Sequence, residues 1–565
     1  MGFQLSPGVT VSEIDLTTVV PSVLTTAGAF AGTFKWGPAN QVVLVDSEIT
    51  LSKNFGTPDT NSAVSFFTAA NFLSYGNNLS LVRAVGATSY NADANTSGTN
   101  VQIPNSEVFE ASYMDGESNL YGAFAARYPG ALGNSLSVTV IDTGNTTLST
   151  GTSALFSTSP GTSEAANTAG GANDEIHIVV TDKNGLFTGT KGTILETFPF
   201  VSKAINAKNV NDGSTNYYKQ VIFDKSKYIY AIDPADYANT NATWGSSLST
   251  NFGKISPTSI EYSLAGGTDA VPSDDILANT FAVFANKETY DISLVLTGDA
   301  STTVQQRVID NIVTVRKDCV AFVSPEKSDV VNQSGSETTN ITGWLSTLAR
   351  SSSYAVADSG WKYQFDVYNN VYRWIPLNGD IAGLCVNTDN VRDPWYSPAG
   401  FERGAIKNAV KLAWNPNKTA RDTIYAAGVN PIVSFPGQGI VLFGDKTLQN
   451  KPSAFDRINV RRLFIVLEKS IARAAQSSLF EFNDEFTRAQ FVALVTPFLR
   501  DVQGRRGITD FKVVCDTTNN TGQVIDSNQF VGDIYIKPAR SINFIQLNFV
   551  AVGTSVEFTT VVGAF

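Results

Sequence analysis

Histidine and cysteine are nearly missing from this chain of 565 residues: there is one His, His177, and three Cys, Cys319, Cys385 and Cys515. A single imidazole excludes most His-dependent triads and His-rich metal sites, and a zinc site needs clustered Cys/His ligands that are not there. The thiols lie far apart, in the contexts DCVAF, GLCVN and VVCDT, which predicts reduced, buried cysteines rather than disulfides. No run of eighteen apolar residues occurs, so no transmembrane helix and no membrane insertion are expected. The opening MGFQLSPGVT lacks a basic segment followed by an apolar one, and no signal peptide is expected. Carboxylate and Ser/Lys chemistry stay open on composition alone.

What is present is the composition of a folded protein. Apolar residues make up 42% and charged residues 16%, too apolar for global disorder. The length exceeds what one hydrophobic core organises, so two to four domains are expected. The net charge of −11 is unevenly spread. Val101–Ala270 carries 16 acidic and 9 basic residues, whereas Phe401–Ile545 carries 13 acidic and 19 basic. An acidic middle and a basic C-terminal part suggest two faces with different neighbours; a solvated acidic surface accounts for the same counts.

Residues 1–22 read as an extended arm, in which Val9, Val11 and Glu13 alternate with Thr10, Ser12 and Ile14. Residues 23–86 have a βαβ-like rhythm. Val42–Val45 and Leu79–Val85 are strand candidates around a helix at Ser62–Leu73. From Gly86 small polar residues dominate, most of all at Thr143–Asp174, and these stretches read as loops or linkers. Strand candidates lie among them at Ser135–Asp142, Glu175–Asp182 and Lys227–Asp233. Residues 87–270 therefore read as a β-rich outer insertion. Regular alternation resumes at Pro272, with Ser273 as an N-cap. It continues through a strand at Asp291–Gly298, an amphipathic helix at Thr302–Arg316 and further strands and helices to 358. Residues 23–86 and 271–400 thus form an α/β core. Trp361–Trp374 reads as a hairpin about Asn369-Asn370.

Residues 401–545 read as a C-terminal α+β domain and 546–565 as a second arm. A long helix is expected over Ala454–Ser477, with Ser453 and Asp456 resembling a capping box. Val460, Leu463, Phe464, Leu467, Ile471 and Ala474 make its apolar stripe. Arg462, Lys469 and Arg473 fall on nearly the opposite face, as a solvated surface or as a contact for an acidic partner. A second helix is expected over Asn483–Leu494. The fold class is α+β, mixed and multidomain, with an α/β core and a β-rich surface insertion.

Catalytic readings are weak. Gly439–Thr447, GIVLFGDKT, looks like a phosphate loop, but Asp445 stands between Gly444 and Lys446 and puts negative charge where phosphate would sit. The pairs Asp274-Asp275 and Asp484-Glu485 sit at helix starts, where carboxylates favour the dipole. No cofactor, no metal and no enzymatic role are expected, and no nucleic-acid module is recognisable. Both chain ends are strand-like without an obvious partner nearby. Such strands either pair within the chain or add to another subunit's sheet.

Ordered runs resemble the tail sheath proteins of T-even-like contractile-tailed bacteriophages: SPGVTVSE, FKWGPAN, YGAFAARYPGALGNSLSV, TDNVRDPWYSPAGFERG, SAFDRINVRRLF, VVCDTTNN and KPARSINF. The resemblance covers 1–86, roughly 121–140 and 271–565. It implies a non-catalytic virion subunit, assembled in the host cytoplasm, that polymerises with itself as stacked hexameric rings. Its expected partners are the tail tube protein, the baseplate and the tail terminator or neck proteins. It also implies a tube-proximal core and C-terminal domain, with terminal strands exchanged between subunits. Val9, Val11, Glu13, Ile545, Leu547, Phe549, Val556 and Phe558 would lie in those strands, and Arg462, Lys469 and Arg473 would face the tube. The segment after Val85 is short where the larger T-even sheaths carry an extra outer domain, so a thinner outer layer is expected. Two other readings stay open. One is the sheath of a related contractile injection system. The other is a carbohydrate- or receptor-binding protein whose Tyr217, Tyr218, Tyr228 and Tyr230 stack on sugars.

Overall fold

The computed structural model describes residues 20, 23–94, 99–114, 121–144, 155–236, 243–255, 259–543 and 546. The chain divides into two compact units. The larger comprises Pro21–Pro394 with Pro398–Arg473, and the smaller comprises Met1–Val20, Trp395–Ser397 and Ala474–Phe565.

A seven-stranded sheet organises the larger unit. Its order is Val429–Asn430, Ala355–Asp358, Val320–Val323, Leu294–Leu296, Gly28–Gly32, Leu79–Arg83 and Val42–Val45. Every neighbouring pair is parallel except the last, where Val42–Val45 runs antiparallel to Leu79–Arg83. All five residues of Gly28–Gly32 are buried, as in parallel strands covered on both faces. This strand escapes the periodicity reading because GAFAG contains no β-branched residue. Packing explains the small residues: a Cβ at Gly28 would lie 2.6 Å from the Phe72 ring. Helix Ala63–Leu73 supplies that ring, and helix Asn378–Val391 packs on both this helix and the strands Leu294–Leu296 and Val320–Val323.

The insertion enters after Leu79–Arg83 and returns ahead of helix Asp274–Ala282. Its main sheet is antiparallel, in the order Thr193–Ser202, Glu175–Asp182, Leu136–Asp142, Ser259–Ser263. A ribbon pairs Phe124–Ala126 with Ile229–Ala231. Arg83 fixes the junction with the core. Its buried guanidinium donates to the carbonyls of Phe34 (2.8 Å), Gly37 (2.9 Å) and Pro129 (2.7 Å). Trp36 extends the junction, meeting Tyr128 and Phe187 edge-on.

The C-terminal part differs from expectation in how it divides and in its long helix. The larger unit runs to Arg473, so the compact units divide within the expected span 401–545. The reason is that Val429–Asn430 extends the core sheet. The long helix begins at Ile458, not near Ala454. Ser453 caps only a 3-10 turn, its Oγ accepting from the Phe455 N–H at 3.0 Å. Arg457 then sits in extended backbone, bridged to Lys446, which prevents continuation into the helix.

In the smaller unit, helix Glu485–Gly504 is capped by Asp484, which accepts from the Thr487 N–H at 2.8 Å. It runs through Pro497 to Gly504, ten residues beyond the expected end at Leu494. A two-stranded antiparallel ribbon follows, Ile508–Val514 with Asp533–Pro538. Trp395 joins this unit by donating its indole N–H to the Arg505 carbonyl at 3.0 Å.

Asp358 ends its core strand buried, accepting from Ser324 Oγ (2.6 Å) and the Gly360 N–H (2.9 Å). Burial pushes its pKa up to about 8. The unfolded value is about 3.9, so the native state binds this proton more tightly between those limits. Its contribution to stability is therefore present below about pH 4 and lost as pH rises to about 8, by at most about 1.4 kcal/mol per pH unit. Asp358→Asn should flatten the fall in unfolding free energy between pH 5 and pH 8. Unchanged slopes in denaturant titrations would contradict this assignment.

Candidate functional site: the assembly surfaces

Helix Ile458–Ala475 carries the basic residues singled out from the sequence. They share a side of the helix, but its own chain covers that side. Arg462 is buried and paired with buried Asp389 at 2.6 Å, on helix Asn378–Val391, and a second guanidinium nitrogen reaches the Cys385 carbonyl at 3.4 Å. Lys469 donates to Asp291 (2.9 Å), the Ile292 carbonyl (2.8 Å) and Ser293 Oγ (3.2 Å). Arg473 meets Asp291 at 3.2 Å and stays half exposed. Arg462 and Lys469 of the expected stripe are thus directed inward onto their own chain, while Arg473 keeps a half-exposed side chain. Helical spacing identified the common face and could not tell solvent from the carboxylates of Asp291 and Asp389.

Arg461, next to that face, was not singled out. Its guanidinium stacks over Tyr354 at 4.2 Å and Phe455 at 3.9 Å and donates to the Tyr354 hydroxyl. The phosphate-loop look-alike resolves into strand Gly439–Leu442 followed by a tied turn. There Asp445 accepts from Arg457 at 3.1 Å, and Lys446 donates to the Tyr425 carbonyl. Asp274 caps the geometry around Ser301, whose Oγ donates to it at 2.6 Å, and Asp275 pairs with Arg307 at 2.6 Å. All three cysteines are buried and unpaired, and burial raises the Cys319 pKa to about 12 and that of Cys385 to about 11.

The sugar-stacking tyrosines of the insertion are engaged internally. Tyr218 is buried at the start of helix Tyr218–Lys225, and Tyr230 stacks on Phe109 with centroids 4.0 Å apart, beneath Arg127. Tyr217 meets Tyr218, and Tyr228 meets Phe187.

The smaller unit carries open surface of two kinds. Among the described residues, each strand of its ribbon has one strand partner, which leaves an edge on either side. A two-stranded ribbon is marginal by itself, and an open edge invites another strand. Leu479, Phe480, Phe482 and Phe486 are exposed ahead of and within the first turn of helix Glu485–Gly504. Their signal in the sequence is LFEFNDEF, phenylalanines spaced among carboxylates. The arm residues Val9, Val11, Glu13, Ile545, Leu547, Phe549, Val556 and Phe558 lie outside the described residues.

The whole chain has the fold of sheath proteins. The sheath tail protein from Listeria innocua aligns with a TM-score of 0.53 at 10% identity, over 91% of this chain and 95% of that one. The contracted PVC sheath complex of an extracellular contractile injection system aligns with a TM-score of 0.50 at 12% identity, over 97% and 98%. Sequence comparison narrows the class. Family models for the phage tail sheath C-terminal domain, the phage tail sheath protein central domain and the Gp18 domain III N-terminal region match residues 450–551, 272–448 and 25–84. The tail sheath protein of Vibrio phage KVP40 is 35% identical over 99% of this chain and 100% of its own length. That of Enterobacteria phage T4 is 31% identical over 99% of both. This chain belongs to the phage tail sheath protein family.

The buried pair gives a direct stability test. Arg462→Met leaves Asp389 uncompensated and should cost about 3–5 kcal/mol, whereas adding Asp389→Leu should recover much of that loss. Arg473→Met should change stability by less than about 1 kcal/mol, as for other exposed pairs. Equal losses for Arg462 and Arg473 in denaturant unfolding would contradict the inward assignment.

Proposed function

We propose that this chain is the mechanical subunit of a contractile phage tail. It polymerises with itself as stacked hexameric rings around the tail tube and shortens on triggering to drive the tube through the host envelope. The baseplate and the tail terminator or neck proteins bound the stack, and assembly takes place in the host cytoplasm. The observation that carries this reading is the family match along the full chain, together with the open-edged ribbon Ile508–Val514/Asp533–Pro538. Strands from the chain ends, residues 1–22 and 546–565, add to ribbons of neighbouring copies, where they supply the missing backbone partners.

The extended sheath is then a metastable packing, and the contracted one buries more surface between copies. Linked ends keep the mesh connected while folded bodies change their packing, a shift between two discrete arrangements. The energy is stored at assembly, and no nucleotide or catalytic step is required. The KVP40 and T4 relatives favour a phage tail over the sheath of another injection machine. Internal packing of Tyr218 and Tyr230 removes the main support for a glycan-binding module.

Deleting residues 1–20 should leave a soluble chain with the parent's thermal unfolding and abolish polymers. Negative-stain electron microscopy at several concentrations is the readout. Ordered tubes from the truncated chain would refute arm exchange. A full-length chain that stays monodisperse, even with tube protein added, would refute the sheath role.

A further inference from the structure

The hairpin Trp361–Asp366/Val371–Pro376 has its faces reversed. Its first strand buries Lys362, Gln364 and Asp366 and turns Tyr363 and Phe365 outward. Each polar side chain is held by a partner. Lys362 donates to Asp380 at 2.9 Å, Gln364 accepts from Asn71 at 2.8 Å, and Asp366 accepts from Arg373 at 2.7 Å. A one-residue slip would bury the rings and expose the charges, so these contacts fix the register that leaves the rings outside. Phe365 is 38% exposed and Tyr372, on the second strand, 51%.

Across the strands the rings form one face. Tyr363 stands opposite Trp374 and Phe365 opposite Tyr372, with centroids 4.6 Å and 5.0 Å apart, and Tyr372 stacks on Tyr363 at 5.3 Å. Lys411, on the third strand, adds a cation. Its side chain is exposed, and its ammonium lies over Tyr363 at 5.0 Å and Trp374 at 5.6 Å. A contiguous apolar patch open to water marks an interaction surface, and this one is aromatic with a positive rim. The smaller unit holds the complementary chemistry. Phe480, Phe482 and Phe486 are exposed there, and so are Glu481 and Glu485 among them. Phe480 also has a φ of 70°, a conformation that bulky residues avoid, so backbone strain and exposure coincide at one ring.

We propose that these two patches dock onto each other between copies: the segment Leu479–Phe486 of one copy covers the aromatic hairpin face of the next, with Glu481 and Glu485 around Lys411. A second copy is the occupant because each patch is open in its own chain and carries the charge that the other lacks. The contact is heterologous, so every copy offers both halves and contacts continue from copy to copy. A few partly exposed rings fall short of the ~800 Å² per partner of a self-sufficient interface, so the contact forms between copies that are already linked. It rests on the self-assembly reading above and adds to it a surface apart from the terminal strands.

Photo-crosslinking of the full-length chain tests it, with p-benzoylphenylalanine in place of the exposed Tyr372 and with ordinary and heavy-isotope chains mixed before assembly. Crosslinks from position 372 to residues 479–486 of another copy are expected in polymers and not in dilute monomer. Lys411→Glu should raise the concentration needed for polymers about tenfold, the loss of one charge-assisted contact. Adding Glu481→Lys and Glu485→Lys should lower it again, with circular dichroism confirming that each variant is folded. Polymers whose crosslinks from position 372 fall elsewhere, or within one chain, would overturn the contact and leave the sheath role standing. So would charge reversals whose losses simply add. A full-length chain that never polymerises would overturn the sheath reading and this contact with it.

Discussion

The larger unit depends on one buried guanidinium. Arg83 ends the strand Leu79–Arg83 where the chain leaves the core for some 180 residues, and the sheet must still close when it returns. Its donors satisfy carbonyls on both sides of that departure, Phe34 and Gly37 before it and Pro129 within the insertion. Burial pulls its pKa down to about 10, opposed by the charge of Asp269, yet it stays cationic at neutral pH. A lysine could not replace it, because a compact ammonium cannot fork to carbonyls in three directions.

Internal charge recurs throughout this unit. Lys362, fully buried, donates to Asp380 and to the Lys407 carbonyl at 2.9 Å each, while the Tyr75 hydroxyl reaches the same carboxylate at 3.3 Å. Lys203 pairs with Asp142 inside the insertion, and Arg462 with Asp389 behind the long helix. Such pairs add little net stability compared with apolar packing, but breaking one is costly. They select one arrangement of the elements they join. That suits the proposed mechanism, in which contacts between copies change while each interior keeps its packing.

How much of this could be read from sequence follows from what each signal encodes. The helix Ala63–Leu73, the strands Val42–Val45, Leu136–Asp142 and Glu175–Asp182, and the hairpin at Asn369-Asn370 carry clear periodicity and turn chemistry, and the fold class followed from them. Gly28–Gly32 did not, because small residues there answer to the Phe72 ring rather than to a local preference. Spacing put Arg462, Lys469 and Arg473 on one side of a helix, but partners some 73 to 182 residues away decide whether a charge faces water. The strand Asp533–Pro538 was missed because its partner, Ile508–Val514, lies across an intervening loop and short helix. The family was legible because ordered motifs survive where single-residue roles do not.

Hydrogen exchange compared between monomer and polymer tests the central claim most directly. If terminal strands complete the ribbons of neighbouring copies, polymerisation will protect amides in residues 1–19 and along Ile508–Val514 and Asp533–Pro538. The core sheet around Gly28–Gly32 will be equally protected in both forms. New protection confined to the insertion, with the ribbon and the N-terminal residues exchanging as in the monomer, would contradict assembly by strand exchange.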